Sequence, residues 1–184
     1  MELTLYLSGH AFRYEVESMT RMFFHGARLT VREGLPPRPT EEGGWVLARL
    51  IERESGQSEL TVSACLGGQS GEESARVAPG IPGRKGECER VFAVLLCRVL
   101  TPLTGVAPSW GVLTGIRPVK LVHGWHRQGM GDAEITRMLT EKYLVAPGKA
   151  ALALETAGHE AGVLARSRPE SYSLYVSVPF CPTR

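Results

Sequence analysis

The sequence predicts an α+β unit with the element order β-α-β-β-β, followed by a helical region and a final strand. Near the amino terminus, Leu3, Leu5 and Leu7 alternate with other side chains, and this period of two is typical of a half-buried strand. Apolar residues then recur every three or four positions, as they do on one face of a helix. The predicted units are residues 1–68 (a small α+β domain), 69–86 (a linker), 87–170 (the helical region) and 171–184 (the last strand).

The elements of the first unit follow in order. The first helix carries Phe12, Val16, Met19 and Phe23 on one face, and Gly26 is expected to close it. The strand-like runs that follow cover residues 27–32, 45–54 and 59–66. A Ser- and Gly-containing turn separates the last two runs. The next segment is rich in Gly, Ser and Glu and poor in apolar residues, and it therefore predicts a polar linker.

The second half predicts four helices. The first covers 87–103, and Pro118 is tolerated in the first turn of the second, which covers 118–128. Asp132 is expected to cap the third, and Pro147 to start the fourth. The expected apolar positions of the fourth helix are Leu152, Leu154, Ala157, Ala161 and Leu164. Strand character returns over residues 171–178.

Composition excludes several classes of function. The net charge of +2 is too close to neutral to indicate a nucleic acid or an anionic membrane as partner. The predicted strands also lack the exposed aromatic residues with basic neighbours that typify RNA-binding sheets. The longest apolar run, 91–97, is far shorter than the roughly 20 residues that span a bilayer. Four well-separated cysteines and the lack of a signal peptide predict reduced thiols and a cytoplasmic protein.

The last residues carry a specific motif. The stretch Y-V-S-V-P-F-C, from Tyr175 to Cys181, is followed by three residues that end at Arg184. It resembles the strand end that leads into Cys-x3-Cys-x2-Cys in radical S-adenosylmethionine (SAM) enzymes of the oxygen-independent coproporphyrinogen III oxidase type. Many members of that family have His where this chain has Ser177, which argues for a divergent branch.

This resemblance implies a fold, two cofactors and two site residues. Residues 171–184 are expected to form the first strand and the start of the cluster loop of a truncated radical SAM β/α barrel. Cys181 would be the first ligand of a [4Fe–4S] cluster, and Tyr175 would lie near the bound SAM. The chain stops where the second cysteine is expected. We therefore expect the amino-terminal part of a longer enzyme, inactive and without a cluster on its own, whose electron donor the sequence does not identify.

A second motif lies in the middle of the chain. Residues 110–123 read W-G-V-L-T-G-I-R-P-V-K-L-V-H, similar to a stretch that precedes the barrel in the coproporphyrinogen dehydrogenase branch of the same family. The resemblance implies oxidative decarboxylation of propionates to vinyl groups, in heme and porphyrin biosynthesis. Physically, Gly111 and Gly115 predict tight turns, and Thr114 is expected to cap the following helix.

The same motif places cations and histidines on one predicted helix. Arg117 and Lys120 lie three residues apart, a spacing suited to gripping the propionate carboxylates of a tetrapyrrole substrate. The alternative is a basic scaffold surface without a ligand. His123 and His126 share the spacing of a metal pair, but zinc needs further ligands and none lies nearby in the sequence, so packing or solvent contact is predicted.

Two functions from different classes remain. The first is the accessory domain and first barrel strand of a coproporphyrinogen dehydrogenase-like enzyme. The second is a free-standing binding module for a protein partner or a tetrapyrrole. The reading frame beyond the codon for Arg184 discriminates between them, because only the enzyme requires it to continue with Cys-x-x-Cys.

Overall fold

A computed structural model describes residues 2–36, 44–168, 170–172 and 174–176. All of its strands lie between Glu2 and Val77, and the elements that follow Val77 are helical. The elements are β1 (Glu2–Ser8), α1 (Arg13–Phe23), β2 (Arg28–Glu33), β3 (Gly44–Glu52), β4 (Ser58–Leu66), β5 (Gln69–Val77), α2 (Arg84–Thr104), α3 (Pro118–Arg127), α4 (Asp132–Arg137) and α5 (Pro147–Leu164). A π-helical turn, Met138–Lys142, continues α4.

The strands form one mixed sheet with the order β2-β1-β3-β4-β5. Both β2 and β3 pair with β1 in parallel, whereas β3, β4 and β5 form an antiparallel meander. The predicted α+β class is therefore confirmed, together with the first helix and the strands on either side of it. Their boundaries agree with the hydrophobic periods because the alternating leucines of β1 are buried under the helices.

The predicted linker over residues 69–86 is wrong for its first half. Gln69–Val77 is the edge strand β5, which pairs with β4 along its whole length. Gly67 and Gly68 both have positive φ, as a two-residue hairpin turn requires. The strand lacks an apolar pattern because most of its side chains are exposed, and only Val77 is fully buried. Its backbone hydrogen bonds, rather than its side chains, make it a strand.

Helix α2 packs on this sheet. Its buried side chains, among them Phe92, Leu96 and Leu100, contact β4, β5 and α1 and belong to the same hydrophobic core as β1 and β3. The helix starts at Arg84, one turn earlier than predicted, and ends at Thr104, and the N–H of the capping residue Gly105 donates to the Thr101 carbonyl. The sheet, α1 and α2 are called the sheet unit below.

Helices α3, α4 and α5, with the π-helical turn, surround a second core and are called the helical unit. The face of α5 that enters this core is made of small residues, Ala150, Ala153 and Ala157. The predicted apolar face is therefore right for Ala157 and for the half-buried Leu154. It is wrong for the three other predicted positions, which are exposed: Leu152, Ala161 and Leu164. Alanines allow the close contact between α5 and α3, and the larger residues remain outside.

Three predicted caps are not observed. Phe24, not Gly26, follows the last residue of α1 as its capping residue. Gly131, not Asp132, precedes α4, and no side chain caps that helix. Arg117 holds the capping position of α3, and no side chain caps this helix, so Thr114 is not its cap. Pro118 occupies the first turn of α3 as predicted.

The predicted last strand is absent from its described part. Residues 171, 172 and 174–176 form no strand, and the large side chains among them are 77–90% exposed. The remaining residues of that prediction lie outside the described ones, as does the predicted cluster loop. Among the described residues, no helix is long and apolar enough to cross a bilayer.

Candidate functional site

The middle motif joins the two units. The N–H of Val112 donates to the Tyr143 carbonyl at 2.9 Å, and the N–H of Ala146 donates to the Ser109 carbonyl at 3.0 Å. Gly111 lies between these bonds with φ +54°, and a Cβ at this position would overlap the backbone of Tyr143 and Leu144. Only glycine combines this backbone conformation with so close an approach. The first glycine of the motif therefore has a structural role.

Consecutive side chains of this motif enter different cores. Val112 is buried in the core of the sheet unit, and Leu113 in that of the helical unit. Tyr143 packs against both cores. Arg90 on α2 adds a polar link, because its guanidinium donates to the Lys142 carbonyl at 3.0 Å. The motif thus fixes where α3 begins relative to the sheet.

Arg117 and Lys120, the predicted substrate contacts, line one groove between α3 and α5. Its volume is about 510 Å³. Three further basic or titratable side chains of α3 and three residues of α5 complete its walls: His123, His126, Arg127, Glu160, Ala161 and Leu164. The structure therefore brings both predicted cations to the same concave surface, which is more basic than acidic. The apolar side chains of α5 form its other wall.

Glu160 bridges two residues of α3. Its Oε1 accepts a hydrogen bond from Arg117 Nη2 at 2.8 Å, and its Oε2 lies 3.1 Å from His123 Nε2. The hydrogen bond from His123, followed by that from Arg117, lowers the pKa of the Glu160 carboxyl, which is therefore ionised at neutral pH. The sequence does not predict Glu160 as a site residue, because Glu160 lies 37 residues from His123 and no local spacing connects them.

The remaining groove residues have different partners. His126 Nε2 lies 2.8 Å from Asp132 Oδ1, so His123 and His126 each contact a different carboxylate and do not converge on one point. Within the described part of the chain, Lys120 and Arg127 form no ion pair. Both are therefore cations of the groove that no described carboxylate neutralises.

The described residues do not fit an iron–sulfur cluster. Among them, no three His, Cys, Asp or Glu side chains are placed to hold a metal ion. Cys88 and Cys97 are buried on α2, and burial raises the pKa of the Cys97 thiol to about 11, which disfavours the thiolate that iron requires. Tyr175, the predicted SAM contact, is exposed. Cys181, the predicted first ligand, lies outside the described residues.

No protein-family model matches this sequence. In an alignment 104 positions long, which covers 53% of this chain, it is 32% identical to the oxygen-independent coproporphyrinogen-III oxidase-like protein HemZ of Bacillus subtilis (strain 168). The matched segment spans 20% of the length of that protein. The similarity supports the predicted relation to coproporphyrinogen-oxidase-like proteins, and it concerns only this fifth of the relative.

Proposed function

We propose that this chain is an accessory region of a longer, cytoplasmic, oxygen-independent coproporphyrinogen III oxidase-like protein of the radical SAM type. The observation that carries the proposal is the 32% identity to HemZ. The two sequence motifs agree with this proposal, since they resemble the same family. Because the match covers a fifth of the relative, the activity of the whole protein belongs to this proposal.

The proposal assigns roles to two residues near the carboxyl end. Cys181 is the first of three cysteine ligands of a [4Fe–4S] cluster in the longer protein, and Tyr175 lies beside SAM. Neither role depends on the described groove.

The groove between α3 and α5 is proposed to bind propionate carboxylates of the tetrapyrrole. Arg117, Lys120 and Arg127 supply positive charge, and Leu164 supplies an apolar surface. A tetrapyrrole with propionate side chains presents the complementary combination of an apolar ring system and several carboxylates. Charge-assisted hydrogen bonds from arginine and lysine to carboxylates are stronger than those between neutral groups.

The family assignment is tested by the reading frame beyond the codon for Arg184. A radical SAM protein requires it to continue with Cys-x-x-Cys, which with Cys181 completes the ligand set. A stop codon at this position in the genome would exclude the radical SAM assignment and favour the free-standing binding module.

The role of the groove is tested by titrating the protein with coproporphyrin III, the air-stable oxidised form of the substrate, in a calorimeter. We expect Lys120→Gln to weaken binding by about 2- to 5-fold, the size of an exposed charge contact. Lys85→Gln is the matched control, because Lys85 is an exposed lysine on α2, away from the groove. Equal effects of the two substitutions would show that the porphyrin responds to overall charge and not to the groove.

A further inference from the structure

The two oxygens of the Glu160 carboxylate each contact one donor of α3. Arg117 Nη2 lies 2.8 Å from one oxygen, and His123 Nε2 lies 3.1 Å from the other. The two side chains therefore form a carboxylate-binding pair, and the structure contains the group that occupies it. A carboxylate of a ligand that enters the groove meets donors that already hold one of the protein's own carboxylates.

The contact between Arg117 and Glu160 is open to solvent, whereas the His123 side chain is only 17% exposed. The Arg117 side chain is 72% exposed and that of Glu160 is 31% exposed. Exposed ion pairs gain little in water, because both partners are well solvated when apart. A competing carboxylate can therefore replace Glu160 at small cost, but a single carboxylate also gains little by doing so.

Other cations of the groove favour a ligand with more than one carboxylate. Lys120 and Arg127 line the same groove and form no ion pair among the described residues. A second carboxylate that reaches them meets no internal competitor. The favourable free energy of binding therefore comes mainly from the second and later carboxylates of the ligand. The exposed Leu164 contacts the apolar scaffold that joins these carboxylates.

We propose that Glu160 is an internal competitor that occupies the carboxylate-binding pair of Arg117 and His123, so that the groove selects ligands with several carboxylates on an apolar scaffold. The proposal rests on the proposed function insofar as the groove binds carboxylates. The new element is that one acidic residue on α5, Glu160, sets the selectivity of the groove.

The test is the substitution Glu160→Gln, which keeps the size of the side chain and removes its charge. We expect it to tighten binding of coproporphyrin III by about 3-fold or more, since it releases Arg117 from its ion pair. The matched control is Glu155→Gln, which removes the same charge from α5 at an exposed position paired with His159. We expect the control to change affinity by at most about 1.5-fold, because a solvated charge outside the groove is screened.

A double variant identifies the released group. When Arg117 is already replaced by Gln, adding Glu160→Gln should change the affinity for coproporphyrin III by no more than the control does. The reason is that the cation which Glu160 would otherwise release is absent. Glu160→Ala gives the same readout should the Gln variant unfold at a lower urea concentration than the wild type. If Glu160→Gln tightens binding equally with and without Arg117, the proposal is overturned. It is also overturned if Glu155→Gln tightens binding as much as Glu160→Gln does.

A second probe separates this inference from the proposed function. Benzene-1,2,4,5-tetracarboxylate has four carboxylates and no tetrapyrrole. If coproporphyrin III fails to bind but Glu160→Gln tightens binding of this probe, the proposed binding of a tetrapyrrole in the groove is wrong and the inference holds. If coproporphyrin III binds and depends on Lys120, but Glu160→Gln leaves its affinity unchanged, the inference is wrong and the proposed function holds. Failure of both probes to bind either protein would refute both.

Discussion

The sheet unit and the helical unit bury different kinds of side chain and expose different kinds of surface. In the sheet unit, large residues such as Leu5, Phe92 and Leu96 fill a continuous core. In the helical unit, α5 enters its core with alanines and keeps Glu160 and Leu164 on the outside, facing the charged side of α3. The first arrangement is a scaffold. The second leaves room for a groove between helices, and this is where both predicted cations lie.

The largest expected effect tests whether the sheet core stabilises the whole molecule. Phe92 is buried on α2, and the centroid of its ring lies 4.6 Å from that of the His10 ring and 5.9 Å from that of the Phe12 ring. We expect Phe92→Ala to lower the free energy of unfolding in urea by about 3 to 5 kcal/mol, because it leaves a cavity among packed residues. Val163→Ala on α5 is the control at an exposed position, with an expected change within about 0.5 kcal/mol. A loss of less than 1 kcal/mol on the first substitution, about that of an exposed site, would contradict the assigned core.

The next effect concerns the junction of the two units. In Gly111→Ala the new Cβ overlaps the backbone of Tyr143 and Leu144, and the residue also has a positive φ. We expect the substitution to lower the free energy of unfolding by about 2 to 4 kcal/mol. Gly115→Ala also has positive φ but no atom near its added Cβ, so about 1 kcal/mol is expected. Urea unfolding followed by circular dichroism measures both. Equal losses would show that the close approach at Gly111 contributes nothing beyond the backbone conformation.

The smallest effect is a pH dependence that arises from His10 in the sheet unit. His10 Nε2 lies 3.0 Å from the Ala48 carbonyl, and its Nδ1 accepts the N–H of Phe12 at 3.1 Å. The ring is therefore neutral, since a proton on Nδ1 would face that N–H. Burial lowers the pKa of His10 from its ordinary value of 6.5. The unfolded chain then binds a proton that the folded protein does not, and stability falls as the pH drops below 6.5 towards the folded-state pKa.

Urea unfolding at pH 7.5 and 5.5 measures this dependence in the wild type and in His10→Gln. The two pH values bracket the ordinary pKa of histidine. We expect the free energy of unfolding to fall less between them in the variant than in the wild type. His159→Gln, at an exposed position on α5, should retain the slope of the wild type. The carboxyls of Glu59, Glu87 and Glu160 do not interfere, because each has a pKa lowered from 4.5. An unchanged slope in His10→Gln would assign the dependence to another group.

The structure of the first four strands and the helices could be predicted because their signals are local. Alternation in β1 indicates that its leucines are buried, and the three- and four-residue spacing of α1 indicates its buried face. Alternation does not indicate the burial of Tyr6, which lies on the opposite face of β1. Pro118 marked the start of α3 for an equally local reason. The cations Arg117 and Lys120 are predicted from equally local information, because Arg117 directly precedes α3 and Lys120 lies in its first turn.

Contacts between distant parts of the chain decided the rest. The strand β5 exists because β4 offers it a ladder of backbone hydrogen bonds, although its own side chains have no apolar pattern. The buried face of α5 is its alanine face because α3 approaches closely, and helical periodicity alone also allowed the leucine face. Glu160 meets Arg117 and His123 only after α3 and α5 have packed. The sequence by itself identified Arg117 and Lys120 as residues that could bind a carboxylate. Only the tertiary structure decided that one of the protein's own carboxylates is bound there, because that contact joins residues with no local relation along the chain.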